Sequence, residues 1–239
     1  MKREPEIIHQ MAESLGILPS HISLLIRTAH LRYKVFYIPK RSGKMREVAQ
    51  PAREIKAIQR WLISHMKDLL PIHDAVTAYM PGTSIGKNAT AHSGSEYLLK
   101  LDFSNFFPSI TKQDVLNHLG HYCVDSLPPS SRELIAQACC WAPKREFPLR
   151  LCIGAPSSPI LSNSVMYDFD CQLADAAESE GITYTRYADD ITLSAKKSGI
   201  LDRYIDVVSD LLGSIKYPRL RLNMDKVVKA SRASKRMVT

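Results

Sequence analysis

The chain has 239 residues, 45% of them hydrophobic, enough for one generous domain or two interleaved ones, so a disordered polypeptide is excluded as the default. Its formal charge of +8 is unevenly spread: residues 1–60 and 196–239 each carry net +7, leaving the middle at −6. Basic flanks around an acidic centre suit a protein that grips a phosphate backbone and gathers carboxylates for metal ions, although Lys-rich helices are also simply solvated faces. No run approaches the ~20 apolar residues that span a bilayer, so neither export nor membrane insertion is expected.

After a short helical lead, Tyr33 to Val48 reads as two strands joined by a basic turn at Arg41-Ser42-Gly43-Lys44. A helix follows from Arg53 to about Leu70, with Ile55, Ile58, Leu62, Met66 and Leu69 on one face, and Pro71 ends it. Glu96 to Phe103 is strand-like with Asp102 near its end; Thr111 then caps a short helix that Gly120 closes. Ser158-Pro159 opens a longer helix to about Glu180. Ile182 to Ala195 predicts two short strands hinged at Ala188-Asp189, followed by a helix from Leu201 to about Ile215 and a basic strand-like piece, Arg219 to Lys229. Strands and helices mix with no regular βαβ rhythm, so the expected class is α+β, an antiparallel sheet with helices packed on one face.

Phosphoryl transfer to a nucleoside triphosphate needs charge neutralised on the attacking and leaving oxygens, which two Mg²⁺ ions about 4 Å apart achieve in polymerases. Each Mg²⁺ keeps most of its waters and takes one or two carboxylates, so a few aspartates on adjacent strands suffice. Asp102 and the Asp189-Asp190 pair would supply three carboxylates if their strands lie side by side. Alone, an Asp-Asp turn and a strand-end Asp are ordinary turn chemistry.

Context reverses that preference. Tyr187-Ala188-Asp189-Asp190 follows an aromatic strand and precedes the apolar Ile191-Thr192-Leu193. YADD at 187–190 resembles the metal-binding box of reverse transcriptases, LDFSNFFPSI at 101–110 resembles their first catalytic box, and GAPSSPILSN at 154–163 resembles the box between. Asn88-Ala89-Thr90-Ala91-His92 is similar to the N-A-x-x-H element of the retron reverse transcriptases, and Met237-Val238-Thr239 to the start of their V-T-G element.

The resemblance implies an RNA-directed DNA polymerase with fingers and palm: residues 1–95 as N-terminal helices and fingers, and 96–239 as palm with an interleaved fingers segment at about 120–160. It implies metal binding by Asp102, Asp189 and Asp190, with two Mg²⁺ ions and Mn²⁺ as a substitute. Phe107 would exclude a 2′-hydroxyl, although adjacent aromatics are also ordinary core. Lys40, Arg41, Lys44 and Arg46 would reach triphosphate oxygens from the hairpin, where charged tips are also commonly just solvated. Gly154 and Ala155 would approach nucleotide and template closely, Lys226 would serve the leaving pyrophosphate, and Asn88 and His92 would contact RNA. Ile153 departs from the glutamine common before that glycine, which puts a side-chain hydrogen bond to the nucleotide in doubt.

The implied partners are a structured non-coding RNA that is template and primer source, its RNA–DNA product, deoxynucleoside triphosphates and an effector protein in phage defence. The rivals are a group II intron or diversity-generating reverse transcriptase, and a non-catalytic RNA-binding scaffold of the same fold. Thr239 ends the chain before a helical thumb, so weak or distributive synthesis is expected. Cys123, Cys139, Cys140, Cys152 and Cys171 form no C-x-x-C pair and read as reduced packing residues of a cytoplasmic protein. The eight histidines show no paired ligand spacing, so no zinc site is assigned.

Overall fold

The computed structural model describes residues 5–40 and 43–231. Along the chain come α1 (Glu6–Leu15), α2 (Pro19–Arg27), β1 (Tyr33–Pro39), β2 (Met45–Pro51), α3 (Arg53–Met66), α4 (Ile85–Ala91) and β3 (Tyr97–Asp102). Next are α5 (Phe106–Ser109), α6 (Lys112–Tyr122), α7 (Pro129–Cys139), α8 (Ser158–Val165) and α9 (Tyr167–Glu178). The chain continues through β4 (Thr183–Tyr187), β5 (Asp190–Ala195), α10 (Tyr204–Ser214), a 3₁₀ turn at Met224–Lys226 and β6 (Val228–Ser231).

These elements sort into two compact units, each built from two stretches of chain. One takes in the chain up to Pro71 together with Phe107–Ser162; the other takes Ile72–Phe106 together with the chain from Asn163 onward.

In the first unit β1 and β2 form an antiparallel hairpin, with Tyr33 opposite Pro51 and Pro39 opposite Met45. Behind it α3 buries Ile55, Ile58, Leu62 and Met66, the face expected from the spacing, and adds Trp61 and Gln59. Gln59 Nε2 donates to the Ala138 carbonyl at 2.8 Å and to the Tyr33 hydroxyl at 2.9 Å, which ties α3 to α7 and to the hairpin base. α3 stops at Met66, a turn short of the expected Leu70. α6 starts on a capping box: the Thr111 hydroxyl accepts from the Asp114 amide, and the Asp114 carboxylate accepts from the Thr111 amide. Gly120 does not close this helix, which runs on to Tyr122; there a Cβ would come 3.2 Å from Arg132 Nη1 of the neighbouring chain segment.

The second unit holds a four-stranded antiparallel sheet in the order β4-β5-β3-β6. β3 is central and buries Leu98, Leu99 and Leu101, consistent with a strand flanked on both edges. Side chains alternate across β4. Tyr184 and Arg186 face the long helix α9, which α10 also packs against, while Thr185 meets the short helix α4. The single long helix expected after Ser158 is two, parted at Met166, whose backbone serves as the N-cap of α9. The strand-like piece expected over 219–229 is reduced to a bridge between Leu222 and Phe103, the 3₁₀ turn, and β6.

Candidate active site

β3 and β5 run antiparallel in a register that sets Asp102 directly opposite Asp190. β4 and β5 are joined by the two-residue loop Ala188-Asp189, with Tyr187 opposite Asp190. The Phe103 amide donates to the Asp189 carbonyl at 3.1 Å, so the loop is stitched to the end of β3. The register thus brings Asp102 and Asp190 together at one end of this sheet, with Asp189 in the adjoining loop.

Asp102 is only 6% exposed. Lys226 Nζ donates to its Oδ2 at 2.7 Å, and Asn223 returns a backbone bond to its carbonyl at 2.7 Å. Asp190 titrates at about 6, well above an ordinary carboxyl: burial raises it, and the neighbouring charge of Asp189 and then of Asp102 adds to that, against relief from Lys100 and Lys226. Burial works against the charge of Lys226, but its hydrogen bond to Asp102 and the three carboxylates outweigh that and raise its pKa above the ordinary value.

Three acids thus share the sheet end with the Lys226 ammonium, bonded to Asp102, and with the charge of Lys100. Among the described residues no three His, Cys, Asp or Glu side chains close into a ready-made metal cage. A hard divalent ion that retains its waters needs no such cage. Asp102, Asp189 and Asp190 are the side chains here that could hold such an ion.

Asn88 and His92 stand elsewhere in the same unit, 1% and 2% exposed. The Thr185 hydroxyl donates to Asn88 Oδ1 at 2.5 Å and lies 2.7 Å from His92 Nε2. Its Nδ1 lies 2.7 Å from the Ser194 hydroxyl. Burial lowers the His92 pKa to about 4. Both side chains bracket α4 to β4 and β5, with the buried Asn88 Nδ2 left without a partner among the described residues, and neither reaches the surface.

The remaining expected residues lie in the first unit. Lys40, Lys44 and Arg46 sit at the exposed hairpin end, where the Lys40 amide bonds the Lys44 carbonyl at 2.8 Å; none has an ion-pair partner among the described residues. Arg41 and Met237 to Thr239 lie outside the described residues. Phe107 is half-buried in α5. Gly154 has φ +110°, and a Cβ there would come within 2.9 Å of the Ala49 carbonyl oxygen and of Val48 Cγ1. Its glycine is thus required by close packing on β2, a cause the sequence reading did not assign. Ala155 is buried with Ala49, Trp141 and Cys152, and Ile153 contributes its carbonyl to the Ala49 amide at 2.8 Å. All five cysteines are free, four of them buried. No helix among the described residues is long and apolar enough to cross a membrane.

Comparison with known proteins agrees with this geometry. The family model for reverse transcriptase (RNA-dependent DNA polymerase) matches residues 38–237. The chain is 40% identical over 209 residues to the Retron Ec83 reverse transcriptase of Escherichia coli, covering 87% of this chain and 67% of that protein. It is 32% identical over 234 residues to the Retron Ec86 reverse transcriptase of the same organism, covering 97% and 69%. In fold it is similar to telomerase from Candida albicans solved with a fragment of telomeric RNA, with TM-score 0.56 at 15% identity, covering 85% of this chain and 43% of that one. Telomerase from Candida tropicalis gives TM-score 0.57 at 12% identity, covering 94% and 45%. The chain thus spans about two thirds of these retron relatives and less than half of the telomerase chains. Carboxylates paired across an antiparallel sheet and a family match over most of the sequence lead to one conclusion: the chain belongs to the reverse transcriptases, RNA-dependent DNA polymerases, and within them to the retron type.

Proposed function

We propose that this chain polymerises deoxynucleotides on an RNA template at the Asp102–Asp189–Asp190 end of the sheet, with unit two as palm and unit one as fingers. The carrying observation is the β3–β5 register that sets Asp102 opposite Asp190. Two divalent ions, Mg²⁺ in preference to Mn²⁺, would neutralise charge on the attacking and leaving oxygens of the transfer. Asp102 and Asp189 hold them, and Asp190 contributes through its raised affinity for positive charge. Lys226, bonded to Asp102, would offer a proton to the leaving pyrophosphate. Lys40, Arg41, Lys44 and Arg46 bind triphosphate oxygens, Gly154 and Ala155 shape the nucleotide's approach, and Phe107 sets the preference for deoxyribose.

Asn88 and His92 act on RNA indirectly in this reading, by pinning α4 so that its exposed Lys87 and Thr90 face solvent. A structured non-coding RNA as template and primer source, its RNA-linked DNA product, an effector protein and a part in phage defence belong to the same proposal, supported by the likeness to retron enzymes. The test is extension of a short primed RNA by the purified chain with deoxynucleotides and Mg²⁺. Template-dependent incorporation that disappears on chelation supports the reading. RNA binding without incorporation would instead establish a scaffold, and activity only on intron-derived RNA would move the chain to the group II type.

A further inference from the structure

Beneath the acidic loop lies a buried ion pair that the chemistry above leaves unused. Arg186 and Asp170 both have side chains of 0% exposure. Arg186 Nε donates to Asp170 Oδ1 at 2.7 Å and its Nη2 to Oδ2 at 2.6 Å, a bidentate clasp between β4 and α9. The Tyr184 hydroxyl adds a bond to Oδ1 at 2.6 Å. The backbone of Arg186 is fixed as well: its amide donates to the Ala75 carbonyl at 2.8 Å and its carbonyl accepts from the Thr77 amide at 2.9 Å.

With one edge of the guanidinium spent on Asp170, Nη1 points the other way. It donates to the Ala188 carbonyl at 2.9 Å and to Asn163 Oδ1 at 3.3 Å. Asn163 is itself anchored by its Nδ2 on the Ala78 carbonyl at 2.9 Å.

Ala188 is the residue that needs holding. Its φ is +56°, a left-handed conformation that is unfavourable for a residue with a Cβ. Of the two central loop residues only this one has positive φ, as in a type II′ hairpin turn, where that position is normally glycine. An alanine persists there when its surroundings over-determine it. The Arg186 bond grips the Ala188 carbonyl and the Phe103 amide grips the next one, so the loop carrying Asp189 and Asp190 is pinned from below and from the side. Stability alone does not call for this arrangement, since well-packed apolar residues commonly replace a buried ion pair without loss.

We propose that Arg186, oriented by Asp170, is a positioning residue for the acidic loop: its guanidinium holds the Ala188 carbonyl and so sets the carboxylates of Asp189 and Asp190 against Asp102. The idea rests on the reading of that loop as the metal-dependent polymerase site. A lysine keeps the charge but cannot span Asp170 and the Ala188 carbonyl with a planar fork.

The experiment compares the wild-type chain, R186K, Y184F and R186K/A188G by thermal melting, by Mn²⁺ affinity from electron paramagnetic resonance, and by the Mg²⁺ dependence of RNA-primed extension. R186K should weaken Mn²⁺ binding by about 10-fold to 100-fold, the usual loss when an outer partner of a metal ligand is removed, with a parallel rise in the Mg²⁺ midpoint. Y184F, which trims one bond from Asp170, should produce a smaller loss in the same direction. Glycine at 188 relieves the strain that Arg186 counters, so R186K/A188G should recover part of the Mn²⁺ affinity, which a purely structural role would not do. Wild-type Mn²⁺ affinity in a folded R186K, or no recovery in the double variant, overturns the proposal. Should R186K fail to fold, unchanged Mn²⁺ affinity in Y184F overturns it. A wild-type chain that binds Mn²⁺ but never extends RNA defeats the polymerase reading, and the Mn²⁺ comparison still decides this one.

Discussion

Two charged groups separated by a residue or two of β4 and its loop show opposite electrostatic designs. Arg186 and Asp170 are sealed from water and balanced, one cation against one anion with nearly every polar hydrogen committed. Asp102, Asp189 and Asp190 are gathered at the sheet end with the Lys226 ammonium bonded to Asp102, and burial first, then the charges of Asp189 and Asp102, raise the Asp190 pKa to about 6. Balance fixes geometry, because neither partner of a desolvated pair can leave the other. Imbalance creates affinity, because the next positive charge to arrive is stabilised by all three acids. The chain uses the first to hold the second in place.

That contrast breaks most severely on its acidic side. Asp102→Ala or Asp189→Ala should reduce primed extension by at least about a thousandfold, equivalent to about 4 kcal/mol of barrier, with an unchanged circular dichroism spectrum. Retained synthesis in either variant would remove the site. On the balanced side, Asp170→Ala leaves a guanidinium buried without its anion and should lower unfolding stability in urea by about 3–5 kcal/mol. A loss under about 1 kcal/mol would mean that water reaches Arg186.

His92 sharpens the comparison as a third case, a buried group that stays neutral. Its pKa is about 4 folded against 6.5 free, so between those values the unfolded chain binds more protons than the folded one. Its contribution is fully present above about pH 6.5 and is lost as pH falls towards 4, amounting to at most about 3 kcal/mol. Urea titrations across that range should show the slope in the wild type and a flatter one in His92→Gln. The smallest effect concerns Lys226, whose side chain is 58% exposed. Lys226→Ala removes the cation that occupies Asp102 and should tighten Mn²⁺ binding without nucleotide by about threefold. Weaker binding in that variant would show that the ammonium helps to assemble the site.

Much of the acidic side was legible because its signals are local or ordered along the chain. Asp102 closes an apolar strand, Asp189-Asp190 sits between two strands, and Thr111 stands three residues before Asp114, so each carries its own context. The balanced side gave no such signal. Arg186 lies in the alternating stretch Thr183-Tyr184-Thr185-Arg186-Tyr187, which reads as half-exposed, and Asp170 shares a helix with Asp168 and Asp175, which reads as a solvated face. Gly120 was a misleading stop signal, since backbone bonding carried α6 past it. Asn88 and His92 were found as a motif but not as buried groups, because an Asn and a His four apart on a short helix say nothing about which face meets the sheet.

Sequence by itself pointed to the class of chemistry, since its carboxylates lie in boxes that resemble, in the same order, those of reverse transcriptases. It also determined the family, which the comparisons establish over most of the chain. Tertiary structure alone decided the β3–β5 register that pairs Asp102 with Asp190, the packing of Gly154 on β2, and the clasp of Arg186 on Asp170. Each joins residues distant along the chain, 88 positions apart for Asp102 and Asp190. Local propensity acts over a turn or a strand, whereas burial of a charge and choice of its partner are settled only when separate elements pack against one another.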